Sequence, residues 1–188
     1  MQQRIVFGGP SNSGKSTLVA SLYLELCRKN ADVGLHEIDV YSDTLQCILG
    51  TKPWEKRRKR VKAWYIPTIK RRIDEFASDS HALVLGDLPG KLSNTRLPEM
   101  VEYAHAAVIV ARTWEQVLLW EERLSYLGVP TIARVVSYID TLPLVPPRCD
   151  ALLISNLNRV PKASDEISAL SALLLEAKVA KEFTAAAE

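Results

Sequence analysis

Gly9-Pro10-Ser11-Asn12-Ser13-Gly14-Lys15-Ser16, followed by Thr17, is the stretch that most limits what this chain can become. It fits G-x-x-x-x-G-K-[ST], and each fixed position has a physical reason. Gly9 lets the backbone turn sharply as it leaves a strand, and Gly14 admits a close approach without a clashing Cβ. The backbone N–H groups from Asn12 through Thr17, those of Ser13 and Gly14 included, are expected to face one anion-binding nest. That nest lies at the positive end of the next helix. Lys15 adds a point charge suited to the β- and γ-phosphates of a nucleotide, and the Ser16 hydroxyl suits a Mg²⁺ ion beside them. The flanks agree. Arg4–Phe7 reads as a short buried strand, and Leu18, Leu22 and Leu26 or Cys27 as the apolar face of a helix.

The rest of the chain alternates strand and helix. Strands are expected at Val33–Ile38, Ala82–Gly86, Ala106–Ala111, Thr131–Val136 and Ala151–Ser155. The uninterrupted apolar run at 106–111 suits a parallel strand covered on both faces. Helices are expected from about Lys15 to Lys29, around Leu97 to Tyr103, and at Trp114–Leu127, where Val117, Trp120, Leu124 and Leu127 share a stripe. Ser164 is placed to cap a last helix, with Asp165 and Glu166 in its first turn. Residues 54–76 read as one or two helices with Pro67 at a kink or break. This alternation implies an α/β fold: a three-layer domain with a mostly parallel central sheet flanked by helices. At 188 residues one domain accounts for positions 1–188, with a basic helical insertion at about 52–78.

Ligands in such sheets sit beyond the carboxyl ends of the strands, and the polar residues of interest fall there. Asp87 follows the apolar strand and opens Asp87-Leu88-Pro89-Gly90, the place for a carboxylate that holds hydrated Mg²⁺. The N–H of Gly90 is positioned to meet the γ-phosphate. Asp39 ends the second strand and is expected at the metal and the attacking nucleophile, which it would orient or deprotonate. Asp43 is either a second such acid or the start of a helix, and Thr44 is a further hydroxyl for the magnesium side. Beyond the last strand, Asn156 can donate and accept at once, which matches the N6/N7 edge of adenine. The guanine-recognition pattern Asn-Lys-x-Asp ends in an acid, but here Leu157 replaces the Lys and Arg159 the Asp. ATP is therefore expected over GTP, with Asn156 and Arg159 at the nucleotide.

Taken together, the loop at 9–16, Asp39, Asp87–Gly90 and Asn156–Arg159 resemble the SIMIBI class of P-loop NTPases. That class includes MinD- and ParA-type ATPases and dethiobiotin-synthetase-like enzymes, and the resemblance spans most of residues 4–175. It implies a residue like Asp39 near the attacking water, one like Asp87 near magnesium, and one like Asn156 on the base. Lys15, Asp39 and Asp87 become the expected catalytic residues, and Ser16, Asp39 and Asp87 the expected metal site. MinD-type ATPases carry a second lysine where this chain has Pro10, which argues against a dimer whose subunits reach across to each other's phosphates, while a homodimer as such is left open.

Lys or Arg occupies 52, 56–60, 62 and 70–72, against the single acid Glu55 before residue 72, with Trp54, Trp64 and Tyr65 interleaved. The segment Lys56–Arg72 is either a solvated helix or a surface for nucleic acid, an acidic protein or an anionic small molecule. No apolar run approaches the roughly 20 residues of a membrane-spanning helix. The start of the chain is expected to enter a strand directly, without a signal peptide. Cys27, Cys47 and Cys149 lack metal-ligand spacing and suit idle thiols in a cytoplasmic protein. The expected function is a Mg²⁺-dependent ATPase whose nucleotide state is read by a partner. A small-molecule kinase or an ATP-dependent ligase acting on an anionic substrate is the alternative.

Overall fold

Residues alternate between two buried faces along each central strand, and this sets the architecture. In the computed structural model, residues 2–39, 43–56, 66–91, 93–146 and 149–185 are described, with side chains as far as residue 176. Ile5 and Phe7 of β1 (Gln3–Gly8) point to one side of the sheet and Val6 to the other. The same alternation continues in β3 (Leu83–Asp87) and β4 (Ala106–Ala111). A strand buried on both faces needs helices on both, and the chain supplies them. One face carries α1 (Lys15–Arg28), α2 (Thr44–Ile48) and α6 (Asp165–Ala185), through Leu18, Leu22, Leu26, Leu45, Leu170 and Leu174. The other carries α3 (Ile66–Ser78), α4 (Leu97–Val101) and α5 (Trp114–Tyr126), through Phe76, Met100, Val117, Trp120 and Leu124. Each such apolar side chain taken from water contributes about 2 kcal/mol.

With β2 (Val33–Glu37), β5 (Thr131–Tyr138) and β6 (Leu152–Ser155), the sheet has the order β2-β3-β1-β4-β5-β6. Every recorded pairing is parallel. β1 is central, with β3 on one side and β4 on the other, in registers that set Phe7 beside Asp87 and Gly8 beside Ile109. The loop that leaves β1 is thus flanked by the ends of both neighbours. That is why residues far apart in sequence meet there.

Local chemistry explains the element ends. The Thr113 hydroxyl accepts from the Gln116 amide at 3.4 Å and caps α5, and Ser164 accepts from Ile167 at 3.4 Å and caps α6. Pro67 is the second described residue of α3, and the residues just before Ile66, where a kink or break is expected, lie outside the described residues. Between Lys52 and α3 the described part is a single 3₁₀ turn, Trp54–Lys56; the expected helix over 57–65 lies outside the described residues. Among the described residues no helix is long and apolar enough to cross a membrane.

Candidate functional site

The loop after β1 is held from three sides. A Cβ on Gly9 would stand 1.9 Å from the Val110 carbonyl oxygen, so this position has room only for glycine against β4. Gly14 has a left-handed φ of 85°, and a Cβ there would come within 2.5 Å of Leu157 Cβ. On the β3 side the Ser11 amide donates to the Gly90 carbonyl at 3.2 Å, and a Cβ on Gly90 would overlap the Ser11 backbone. On the β5 side the Ser137 hydroxyl donates to the Ser13 carbonyl. α1 then begins at Lys15 with no side chain capping its first turn. Its leading N–H groups and dipole are left facing the loop.

Inside this frame Lys15 Nζ contacts Asp87 Oδ1 and the Leu88 carbonyl, and the Ser16 hydroxyl donates to Asp87 Oδ2 at 2.6 Å. Lys15 and Asp87 are both almost fully buried, which strengthens their mutual attraction. Glu37, paired with Asp87 in the β2–β3 register, adds an acid that the sequence reading does not single out. Burial first, and the nearby Asp87 charge with it, push its carboxyl up to about 8, although the Leu45 amide bound at 2.9 Å favours the ionised form. Its Oε2 is buried and has no hydrogen-bond partner among the described residues. Burial thus favours the protonated form of Glu37 at this strand end.

A cavity of about 520 Å³ opens over the loop. Asn12, Ser13, Gly14, Lys15, Ser16 and Thr17 line it, as do Asp39, Thr44, Gly90 and Arg159. Gly9 and Asp87 are not among the lining residues: Gly9 packs on β4, and Asp87 lies behind Lys15 and Ser16. Asn156 is not among them either. It is exposed at a left-handed φ of 54°, and the lining position belongs to Asn158, which the sequence reading passes over. Arg159 donates its amide to Thr17 Oγ1 at 3.1 Å and lays its guanidinium 5.5 Å from the centre of the Trp54 ring. Arg112 is a further lining residue that no motif announces.

Asp43 turns away from the cavity's chemistry. It stands at the N-cap of α2, 1% exposed, with its carboxylate paired to Lys52 and, at 3.7 Å, to Arg72. Arg72 is correspondingly no part of an anion-binding surface. It is buried and donates to the carbonyls of Glu37, at 2.6 Å, and Asp39. Arg71 pairs with Glu75 one helical turn on. Arg57, Arg58, Lys59, Arg60, Lys62, Trp64 and Tyr65 lie outside the described residues.

The residues present fit nucleoside phosphates. The helix start is uncapped, glycines packed against Val110, Leu157 and Ser11 fix the shape of the loop, and the buried Ser13 hydroxyl has no partner among the described residues. No family model matches the chain, and no curated protein matches it in sequence. Its structure does find relatives. The septum site-determining protein MinD of Pyrococcus horikoshii, solved with Mg-ADP, superposes with a TM-score of 0.68 at 16% identity, over 94% of this chain and 96% of that one. The cell division ATPase MinD of Pyrococcus furiosus gives 0.66 at 15% identity, over 96% and 99%. This chain has the fold of the SIMIBI-class P-loop NTPases. A nucleotide-binding protein of Archaeoglobus fulgidus in complex with ADP has the same fold, at a TM-score of 0.56 and 19% identity over 92% and 87% of the two chains.

Proposed function

We propose that this protein binds Mg-ATP in the cavity over the loop, hydrolyses it, and presents its nucleotide state to a partner. The observation that carries the reading is the convergence of Lys15, Ser16 and Asp87, with Ser16 Oγ 2.6 Å from Asp87 Oδ2 at the open start of α1. The Mg-ADP and ADP bound by the two solved relatives support it. Among the described residues no group of three or more His, Cys, Asp or Glu forms a metal cage. Ser16 and Asp87 would hold magnesium as it is held beside phosphates, through few side chains and water, with Asp39 at the cavity edge. Bound there, the ion would screen phosphate charge as the outer bond breaks. Loop N–H groups and Lys15 bind the phosphates, Asp39 orients the attacking water, and Gly90 ties the β3 end to the loop through Ser11. Asn158 and Arg159, which also line the cavity, are assigned to the base in place of Asn156, and Arg159 in place of the guanine pattern's acid favours adenine.

Calorimetric titration of Mg-ATP tests the assignment. The parent protein should bind, and Lys15→Ala should weaken binding by about ten-fold or more while keeping its fold, because a charge-assisted contact to phosphate is lost. Equal affinities would refute the phosphate site. Release of inorganic phosphate, stimulated by a partner, is the expected turnover; transfer of the phosphoryl group to a small acceptor would instead identify a kinase.

A further inference from the structure

A second cation faces the phosphate loop. Arg112 is the first residue beyond β4, and β4 pairs with β1, so the strand delivers this side chain to the flank of the loop that β1 feeds. Its guanidinium donates from Nε at 3.2 Å and from Nη2 at 3.1 Å to the Asn12 carbonyl, and the residue lines the cavity together with Lys15. A guanidinium has more N–H donors than one carbonyl can accept. Arg71, Arg96 and Arg134 each rest on a carboxylate. Arg112 has no carboxylate partner among the described residues, although holding a charge unpaired at a half-buried position costs free energy.

The loop's own charge makes the placement informative. Pro10, at the second loop position, brings neither a charge nor an N–H. Lys15 is directed to Asp87 and Leu88, toward the β3 side. A nucleoside triphosphate carries more negative charge than one lysine and one divalent ion balance. The β4 side of the loop is where the chain supplies the difference, with a residue whose planar fork suits phosphate oxygens.

We infer that Arg112 is a phosphate-binding residue of this site, acting within its own chain: it engages the terminal phosphate of a bound triphosphate while remaining anchored at Asn12. The inference rests on the nucleotide reading of the same cavity and adds a preference to it, for triphosphate over diphosphate. It also adds a phosphate-binding cation from the same chain as the loop.

The test separates a phosphate contact from a loop prop. Arg112→Gln keeps an N–H₂ donor for the Asn12 carbonyl and removes the charge; Arg112→Lys keeps the charge and loses the fork. Full-length parent and both variants are titrated calorimetrically with Mg-ADP and with the magnesium complex of a non-hydrolysable ATP analogue, after their thermal unfolding has been compared. Arg112→Gln should lose about ten-fold or more in affinity for the triphosphate analogue, the scale of a charge-assisted contact, and less than about two-fold for ADP. Arg112→Lys should recover part of the difference. An equal loss for both nucleotides would make Arg112 a prop for the loop and overturn the inference, and so would no loss for either. A parent protein that binds neither nucleotide would instead remove the nucleotide reading, and this inference with it. If Arg112→Gln does not fold, the ratio of the two affinities in Arg112→Lys decides: a ratio equal to the parent's rejects the need for a fork-shaped contact.

Discussion

Asp79 sits between two imidazoles, His36 Nε2 against its Oδ2 and His81 Nδ1 against its Oδ1, each at 2.6 Å. Burial pushes its carboxyl up, but the His81 amide at 2.8 Å and the two rings outweigh that and hold it at about 2. A folded value below the ordinary carboxylate range means stability that is present above about pH 4 and is lost as pH falls through 2. His81 is half exposed, so solvent screens its share of the attraction. Asp79→Asn should therefore be less stable than the parent by on the order of 1 kcal/mol at pH 5, a gap that closes as the pH approaches 2. Denaturant titrations at several pH values check this, and a gap constant with pH would reject the ionic account. At this same scale, residues tied to the loop's spacing are legible in the sequence: Lys15, Ser16 and Asp87 meet as their positions imply. Asn156 marks the limit of spacing as a signal. Its left-handed backbone rotates the chain, so that residue 158 reaches the cavity, and spacing alone carries no dihedral. Arg112 belongs to no motif, yet it is the first residue past an apolar run that reads as a buried parallel strand, and such ends are where ligands sit.

α3 shows how an element can carry charge inward. Ile69, Arg72, Ile73 and Phe76 form its buried stripe at helical spacing, with the arginine inside it. Arg72 crosses from α3 to the end of β2, where it holds the Glu37 and Asp39 carbonyls and, with Lys52, the buried Asp43 at the start of α2. The loop that bears Asp39 is thereby fixed by a helix far along the chain. Removing Arg72 takes one charged donor from the buried Asp43, which keeps Lys52, and one from the Glu37 and Asp39 carbonyls. Arg72→Met, which keeps much of the stem's packing, should destabilise the protein by about 3 kcal/mol, as breaking a buried ion pair does. Urea unfolding measures this, and a change below about 0.5 kcal/mol would show that water or a neighbour replaces the contact. Phosphate release should slow as well if Asp39 acts on the attacking water. The cation run obscures this role, since Arg72 reads with its neighbours as surface. The apolar stripe that includes it is the better signal. α2 is too short to show any periodicity, and only Asp43 marks where it starts.

Across the whole molecule the layered α/β fold is legible from the alternation of apolar strands with amphipathic helices, while the strand order β2-β3-β1-β4-β5-β6 is set by contacts that no local pattern carries. Charge has a similar division between what adds up and what is arranged. With 24 Lys and Arg against 22 Asp and Glu the net is +2, which hides a concentration of cations at 52, 56–60, 62 and 70–72. The structure removes some from consideration: Lys52 and Arg72 clamp Asp43, and Arg71 pairs with Glu75. The cations left as a candidate polyanion surface are Lys70 and the run at 56–62, which is close in sequence to Trp54, whose ring meets Arg159 at the cavity. This closeness in sequence motivates a test with and without nucleotide. Replacing Arg57, Arg58, Lys59 and Arg60 by Gln removes charge with little change in helix propensity, so the variant should unfold at the parent's temperature and bind Mg-ATP as before. If the stretch grips a polyanion, binding releases counterions and weakens as salt rises. The parent should bind single-stranded nucleic acid or heparin with such a slope, and the variant should bind more weakly with a shallower one. Mg-ATP should shift the parent's affinity and leave the variant's weak residual binding unaffected, if the partner reads the nucleotide state through this stretch. Binding by neither protein near physiological salt would reduce the cation run to a solvated surface, whereas equal binding by both would move the polyanion site elsewhere on the molecule.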